Sequence, residues 1–271
     1  VRGTLVLAGH ADSATEFRWW WRWGQAGLLL NLAGGFGLVL PAPILGVLAI
    51  FGPSVPELPA WGPWVWGAAV LLALPAVTLA TLHGERNVDG AIDNLSGVAL
   101  ARELGRRFAL GDRPGQSRLR HTRLRVMSFG SEECGLKGSR AYVRAHREAL
   151  RAEGAVLINL ESFRDDRHLT LLTREVFTGA RYPPELNRRL GDAFRASGRA
   201  YRENALLVGA TDATSFAAAG LPAACLIGLD SDRLDPTYHT RLDHVAQLDP
   251  AGMDAAADAL ERFIVSWDAE A

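Results

Sequence analysis

Cysteine is scarce: the 271 residues include two, Cys134 and Cys225, with no CxxC or Cys/His spacing around either. That excludes a disulfide framework, and both thiols are expected to pack as small buried hydrophobes. A surplus of positive charge is missing too, with 29 Lys and Arg against 30 Asp and Glu, which excludes the basic surface that nucleic-acid phosphates require. There is no internal repeat and no low-complexity tract, and the length suffices for one large domain with a full core. The chain also lacks an initiating methionine. Val1 leads directly into the strand-like TLVLAGH, so a further upstream segment, a signal peptide or an earlier helix, is expected.

Charge disappears altogether from Trp23 to Pro56 and, after Glu57, again from Leu58 to Leu82. Each run exceeds the roughly 20 apolar residues that cross a bilayer core. Seven of the eight tryptophans stand in or beside these runs, at 19, 20, 21, 23, 61, 64 and 66, where an aromatic belt would meet the headgroups. Residues 19–82 are therefore expected to form a two-helix transmembrane hairpin in contact with the lipid bilayer; the other reading is a pair of buried helices in a soluble protein. A hairpin returns the chain to the side it left, so 1–18 and 83–271 are expected to form one discontinuous domain with 19–82 as an insertion. Arg18, Arg22 and Arg86 flank the spans on the domain side, and the turn between them carries only Glu57. By the positive-inside tendency this integral membrane protein would keep its large domain in the cytoplasm.

Outside 19–82, short apolar segments at 4–8, 122–129, 155–160, 168–173 and 222–228 alternate with amphipathic ones at 94–108, 138–152, 184–197 and 250–267. Such alternation predicts an α/β domain with a mostly parallel sheet, whose chemistry collects beyond the carboxyl ends of the strands. TLVLAGHADS ends its apolar run at His10 and Asp12, RLRVMSFGSEE at Glu132 and Glu133, and AVLINLES at Glu161. Three strand ends thus bring hard or borderline metal ligands to one edge. Asp93 and Asn94 open the helical run GAIDNLSGVALARELG, and DPTYHTRLDHV places His239 in a loop with Asp243 four residues on.

At these residues the sequence resembles the M28 family of zinc peptidases. The stretches GHADS, GAIDNLSGVALARELG, SFGSEECGLKGS, INLES, TDATSFAAAGLPAACLIG and YHTRLDH occur in the family's order and span nearly the whole chain outside 19–82. The resemblance implies a three-layer α/β/α domain with a mixed, mostly parallel sheet, holding two zinc ions that other divalent metals can replace. By similarity, Asp93 would bridge the ions, His10 and Glu161 would complete one site, and Glu133 and His239 the other. Histidine and carboxylate donors suit a catalytic rather than a structural zinc. Asp12 is expected to accept the other ring proton of His10. Glu132 is expected to take a proton from the attacking water and deliver it to the leaving amine. Asp243 is read as orienting the His239 loop, Tyr238 as either supporting a ligand or touching the substrate, and Asp212 as supporting a ligand, facing the substrate or capping a helix. His83, His121, His146, His168 and His244 are left outside the site.

The implied activity is that of a membrane-anchored di-zinc exopeptidase acting on peptides, most simply an aminopeptidase. Family aminopeptidases usually carry aspartate where this chain has Glu161, and glutamate there is seen in related di-zinc carboxypeptidases and deacylases. Those activities, another amidohydrolase such as a glutaminyl cyclase relative, and a non-catalytic membrane scaffold are the alternative readings. The insertion between His10 and Asp93 is expected to hold the site near the bilayer surface.

Overall fold

The computed structural model describes residues 3–39, 76–109, 118–230 and 232–270. Among these the strands are β1 (Gly3–His10), β2 (Thr15–Phe17), β3 (His83–Asn87), β4 (Thr122–Phe129), β5 (Ala155–Glu161), β6 (Thr170–Glu175), β7 (Arg202–Leu206) and β8 (Ala223–Ile227). The α-helices are α1 (Arg18–Trp23), α2 (Gln25–Val39), α3 (Ala76–Ala80), α4 (Ser96–Ala109), α5 (Lys137–Ala152), α6 (Pro184–Ala196), α7 (Ala213–Ala218) and α8 (Pro250–Glu270). The chain divides into two compact units. The first takes Val1–Ala14, Val88–Tyr238 and Leu242–Ala271; the second takes Thr15–Asn87 and His239–Arg241.

The first unit is built on a six-stranded sheet in the order β4-β1-β5-β8-β6-β7. Strands β4, β1, β5 and β8 run parallel. β6 is antiparallel to β8, and β7 is parallel to β6, so the sheet is mixed and mostly parallel, as expected. The interior strands read as unbroken apolar runs because both their faces are covered; every residue of β5 is buried. Successive side chains alternate between the faces. Leu5, Leu7, Ile158 and Leu160 join Leu104 of α4 and Phe263 of α8 in one apolar cluster, while Val6, Ala8 and Leu157 join Val143 of α5 and Phe216 of α7 in another. Each fully buried Leu or Phe in these clusters contributes about 1.5–3 kcal/mol relative to exposure.

β1 lies between β4 and β5, so the sheet reverses its order of winding there, the place where open α/β sheets form a crevice beyond their carboxyl ends. α4 starts hard against β5. A Cβ on Gly97 would stand 2.3 Å from the carbonyl oxygen of Leu160 and 2.4 Å from Oδ1 of Asn94, so only glycine permits that approach. Two elements of this sheet unit were not anticipated. β7, RENAL, is a half-exposed edge strand with no apolar alternation, and its polarity discourages pairing with another chain. α7 is only six residues long. Cys134 also departs from expectation: it is exposed, because it falls in the turn after β4, while Cys225 is buried in β8.

In the second unit β2 and β3 pair antiparallel, Thr15 against Asn87 and Phe17 against His83. α1 follows β2 directly and α3 precedes β3. A buried polar ladder ties the three helices: Trp20 Nε1–H donates to Asn31 Oδ1 at 2.8 Å, and Asn31 Nδ2 donates to Thr78 Oγ1 at 2.9 Å. Trp19 Nε1–H reaches Thr81 Oγ1 at 3.0 Å. The expected transmembrane hairpin is not found here, since no helix among the described residues is long and apolar enough to cross a membrane. The middle of the expected hairpin, 40–75, lies outside the described residues.

Candidate metal centre

β1 ends in His10, whose side chain is 2% exposed. Its Nε2 stands 3.2 Å from Asp93 Oδ1, 3.2 Å from Glu161 Oε1 and 3.9 Å from Glu132 Oε2. On the other side of the ring Nδ1 lies 3.1 Å from the backbone carbonyl of Asp12. That contact favours the tautomer with its proton on Nδ1, which leaves the Nε2 lone pair facing the carboxylates.

The expectation for Asp12 therefore needs correction. Its carboxylate is 3.6 Å from Nδ1, too far for a hydrogen bond. The backbone amides of Glu132 and Glu133 instead donate to its two oxygens, each at 3.1 Å. A carboxylate prefers donors with a partial positive charge, and two successive amides in a turn offer a pair of them. Asp12 holds the glutamate turn, and its peptide group holds the histidine. Asp12→Asn turns one of those oxygens into an NH2 that faces an amide N–H. We expect kcat/KM to fall about 10–100-fold with the metal content retained, checked by steady-state kinetics beside elemental analysis; activity within twofold of the parent would remove this role.

Asp93 enters from the turn Ala91–Leu95 that precedes α4. It is 5% exposed and accepts a hydrogen bond from Ser162 Oγ at 3.0 Å. The Asp93–Asn94 peptide is cis. Asn94, wholly buried, stitches this turn to the end of β5: its Nδ2 donates to Leu160 O at 2.9 Å, and its Oδ1 accepts the amides of Gly97 and Ser162 at 3.1 and 3.0 Å. Asp243 accepts the amides of Ile92 and Asp93 at 2.6 and 3.2 Å. It thus anchors the Asp93 turn. Glu161 ends β5, and its Oε2 accepts a hydrogen bond from Asn159 Nδ2 at 2.8 Å. Asn159, Ser162 and the fastening role of Asn94 were missed, although the Asn-x-Glu spacing in INLES does put Asn159 and Glu161 on one face of the strand.

Crowded carboxylates raise one another's pKa. Burial foremost pushes Glu132 up to about 10, with the His10 charge opposing and Glu161, Asp212 and Glu133 adding to it. Burial likewise lifts Glu161 to about 7 against the pull of His10, with Asp93 and Asp212 adding. Asp212 rises to about 6, chiefly by burial, against Ser139 and His10. Although it stands at the N-cap position of α7, its side chain caps no helix amide. Burial opposes charge on His10, yet Glu161 and Asp93 outweigh it and drive its pKa far upward. The Tyr238 phenol is raised by burial and then by Asp93, Glu133, Glu132 and Glu161, so it belongs to the same electrostatic environment. His239 belongs to the second unit, where its ring packs on Phe17 with centroids 4.3 Å apart.

Two ligand triads in the first unit, His10–Asp93–Glu161 and His10–Glu132–Glu133, each offer donor atoms within 4.8 Å of one another. All the donors are nitrogen or carboxylate oxygen. The excess negative charge, turned inward and out of water, is what a divalent cation would relieve, so the residues fit a zinc-type centre.

The sequence profile of peptidase family M28 matches residues 76–264. Solved structures of similar fold include the LapA aminopeptidase of Legionella pneumophila, at 18% identity and a TM-score of 0.56, covering 68% of this chain and 49% of that one. The zinc aminopeptidase BSAP from Bacillus subtilis aligns at 23% identity and a TM-score of 0.55, covering 66% of this chain and 43% of that one. The glutaminyl cyclase of Porphyromonas gingivalis aligns at 18% identity and a TM-score of 0.59, covering 98% of this chain and 74% of that one. The chain spans about half, or less, of the length of the two aminopeptidases, and at these identities the likeness establishes the fold. No curated protein matches the sequence.

Proposed function

Because the chain belongs to peptidase family M28, we propose that it is a zinc-dependent metallopeptidase, most simply an aminopeptidase working with two ions. Asp93 is proposed as the shared ligand, with His10 and Glu161 for one ion and, by its place in the sequence, His239 with Glu133 for the other. The observation that carries this reading is the convergence of His10, Asp93, Glu132, Glu133 and Glu161 at the carboxyl edge of β1, β4 and β5. When bound, divalent cations supply Lewis-acid polarisation of the scissile carbonyl and a water of lowered pKa.

The chain's own residues do the rest. Glu132, set in the turn by Asp12, is the acid–base group: its carboxylate accepts the proton of the attacking water and returns it to the departing amine. Burial raises the pKa of Glu132 and the charge of bound cations would lower it again, leaving a carboxylate that can take the proton and give it back. The His10 ring is kept in one tautomer by the Asp12 carbonyl, so its Nε2 remains a donor to the cation. Tyr238, whose phenol lies in the field of the same carboxylates, is proposed to contact the polarised carbonyl oxygen of the substrate.

Matched peptides with free or acetylated N-termini and free or amidated C-termini, read by mass spectrometry, test the assignment. Stepwise loss from a free N-terminus is expected. A requirement for a free C-terminus, or removal of only an acyl group, would move the protein to the carboxypeptidase or deacylase reading that Glu161 suggested. Loss of ammonia from a peptide with N-terminal glutamine would favour cyclisation, a second reading supported by the glutaminyl cyclase alignment along 98% of this chain.

Membrane anchoring through 19–82 is part of the proposal, supported by the two charge-free runs and their tryptophans. The arginine bias supports a cytoplasmic peptidase unit. Alkaline carbonate extraction and protease protection of membrane vesicles test both; release of the protein by carbonate would remove the anchor.

A further inference from the structure

The unit that contains the inserted segment also takes up residues His239–Arg241, so one proposed ligand packs with that unit. Four sets of contacts bind this short loop to β2 and α1. The Phe17 amide donates to the His239 carbonyl at 2.8 Å. The Arg241 amide and guanidinium donate to the Glu16 carboxylate at 3.2, 2.7 and 2.8 Å. The guanidinium also lies over the Trp21 ring, 4.4 Å from its centroid. The His239 ring meets Phe17 edge-on at 4.3 Å and stacks near-parallel with Trp20 at 6.2 Å. His239 has φ +53°, a left-handed conformation that a non-glycine residue keeps only where its surroundings impose it.

Trp20 is also the first rung of the polar ladder. Trp20, Asn31 and Thr78 are 8%, 4% and 8% exposed, so the indole that backs the His239 ring is hydrogen-bonded through α2 to α3, the roots of the two apolar runs. An imidazole ligand must hold its ring within about 10–20° of the productive orientation. Two aromatic faces restrict that rotation, and one of the two is fixed by helices of the insertion.

We propose that Trp20 is a positioning residue for His239, and that the Trp20–Asn31–Thr78 ladder couples the seating of the inserted helices to retention of the ion that His239 binds. The inference rests on the reading of His239 as a ligand. A displacement of α2 against α3 moves the indole, and with it the face against which the imidazole rests.

The test uses the full chain, zinc-loaded, with His239→Ala, Trp20→Ala and Asn31→Leu variants. Bound zinc is counted by elemental analysis, and the two dissociation constants come from titration with a competing chelator. Asn31→Leu is nearly isosteric and apolar, so it keeps the fold while cutting the ladder, and it decides the matter if Trp20→Ala does not fold. His239→Ala is expected to lose one ion. Trp20→Ala and Asn31→Leu are expected to weaken the more loosely held ion about 10–100-fold and leave the tighter one unchanged, while Asn31→Leu, which takes the acceptor from the Trp20 indole, melts only a few degrees lower. Loss of an ion in His239→Ala with both ions at parental affinity in Asn31→Leu would overturn the coupling. Retention of both ions in His239→Ala would overturn the ligand assignment itself, and the coupling with it.

Discussion

Glu132→Gln lowers kcat by about 10³–10⁴-fold while the bound metal and the fold stay as they were. The side chain keeps its shape, and the hydrogen bond that places it runs from its backbone amide to Asp12, which the substitution leaves in place. Only the capacity to accept a proton is lost. General acid–base groups contribute about 10²–10⁴-fold, and the upper half of that range applies because the proposed mechanism has Glu132 serve both the attack and the departure of the amine. At 1.36 kcal/mol per decade this is about 4–5 kcal/mol of barrier. Turnover of a peptide substrate, measured beside zinc content, checks it. Activity within tenfold of the parent would assign the proton transfer to another group, with Asp212 next in line because it shares the field of Glu132 and Glu161.

Chelation abolishes activity, zinc restores it, and the metal-free protein melts about 10 °C lower. Binding of the more tightly held ion alone at about 1,000 times its Kd stabilises the folded state by about 4 kcal/mol, and each kcal/mol is worth roughly 2–4 °C for a domain of this size. The pH trend is the more discriminating readout. In the metal-free state Glu161 and Glu132 have folded pKa values of about 7 and about 10 against the ordinary 4.5. The folded chain therefore binds more protons than the unfolded chain above pH 4.5, and stability falls as pH rises through that window. His10, a base raised by the same carboxylates, contributes in the same direction above its ordinary value of 6.5. Metal binding requires deprotonated ligands and strengthens as pH rises. The gap between metal-loaded and metal-free melting temperatures should thus widen from pH 5 to pH 8, as scanning calorimetry would show. A gap constant with pH would mean that these carboxylates do not hold the ion.

The elements that were legible in the sequence are those whose burial is continuous. β1, β5 and β8 show as apolar runs because two helical layers cover them, and α4, α5, α6 and α8 show as amphipathic periods because one face of each lies on the sheet. β7 and α7 carry neither pattern. The candidate ligands were legible for a related reason: a polar residue that directly follows a buried strand marks the sheet edge. What supports them was not, because it joins distant stretches. Asp12 meets Glu132 across 120 positions, and Asp243 meets Ile92 across 151; no local spacing records such pairs. His10 and Asp12, two residues apart, suggested a side-chain hydrogen bond, where the structure has a 3.6 Å ion-pair contact and gives the hydrogen bond to the Asp12 carbonyl.

The grip of Asp12 on two consecutive amides has a mechanical consequence. His10 leans on the carbonyl of Asp12, and Glu132 and Glu133 hang from its carboxylate, so the imidazole, the proton carrier and its neighbouring carboxylate share a single pivot. Thermal drift at the tip of β1 carries all three together and leaves their mutual spacing unchanged. Glu161 rests instead on Asn159 of its own strand, so β5 is the independent jaw. Asp93 travels with that jaw, because Asn94 and Ser162 tie its turn to the end of β5, and a redesign for a larger ion would begin at the gap between pivot and jaw.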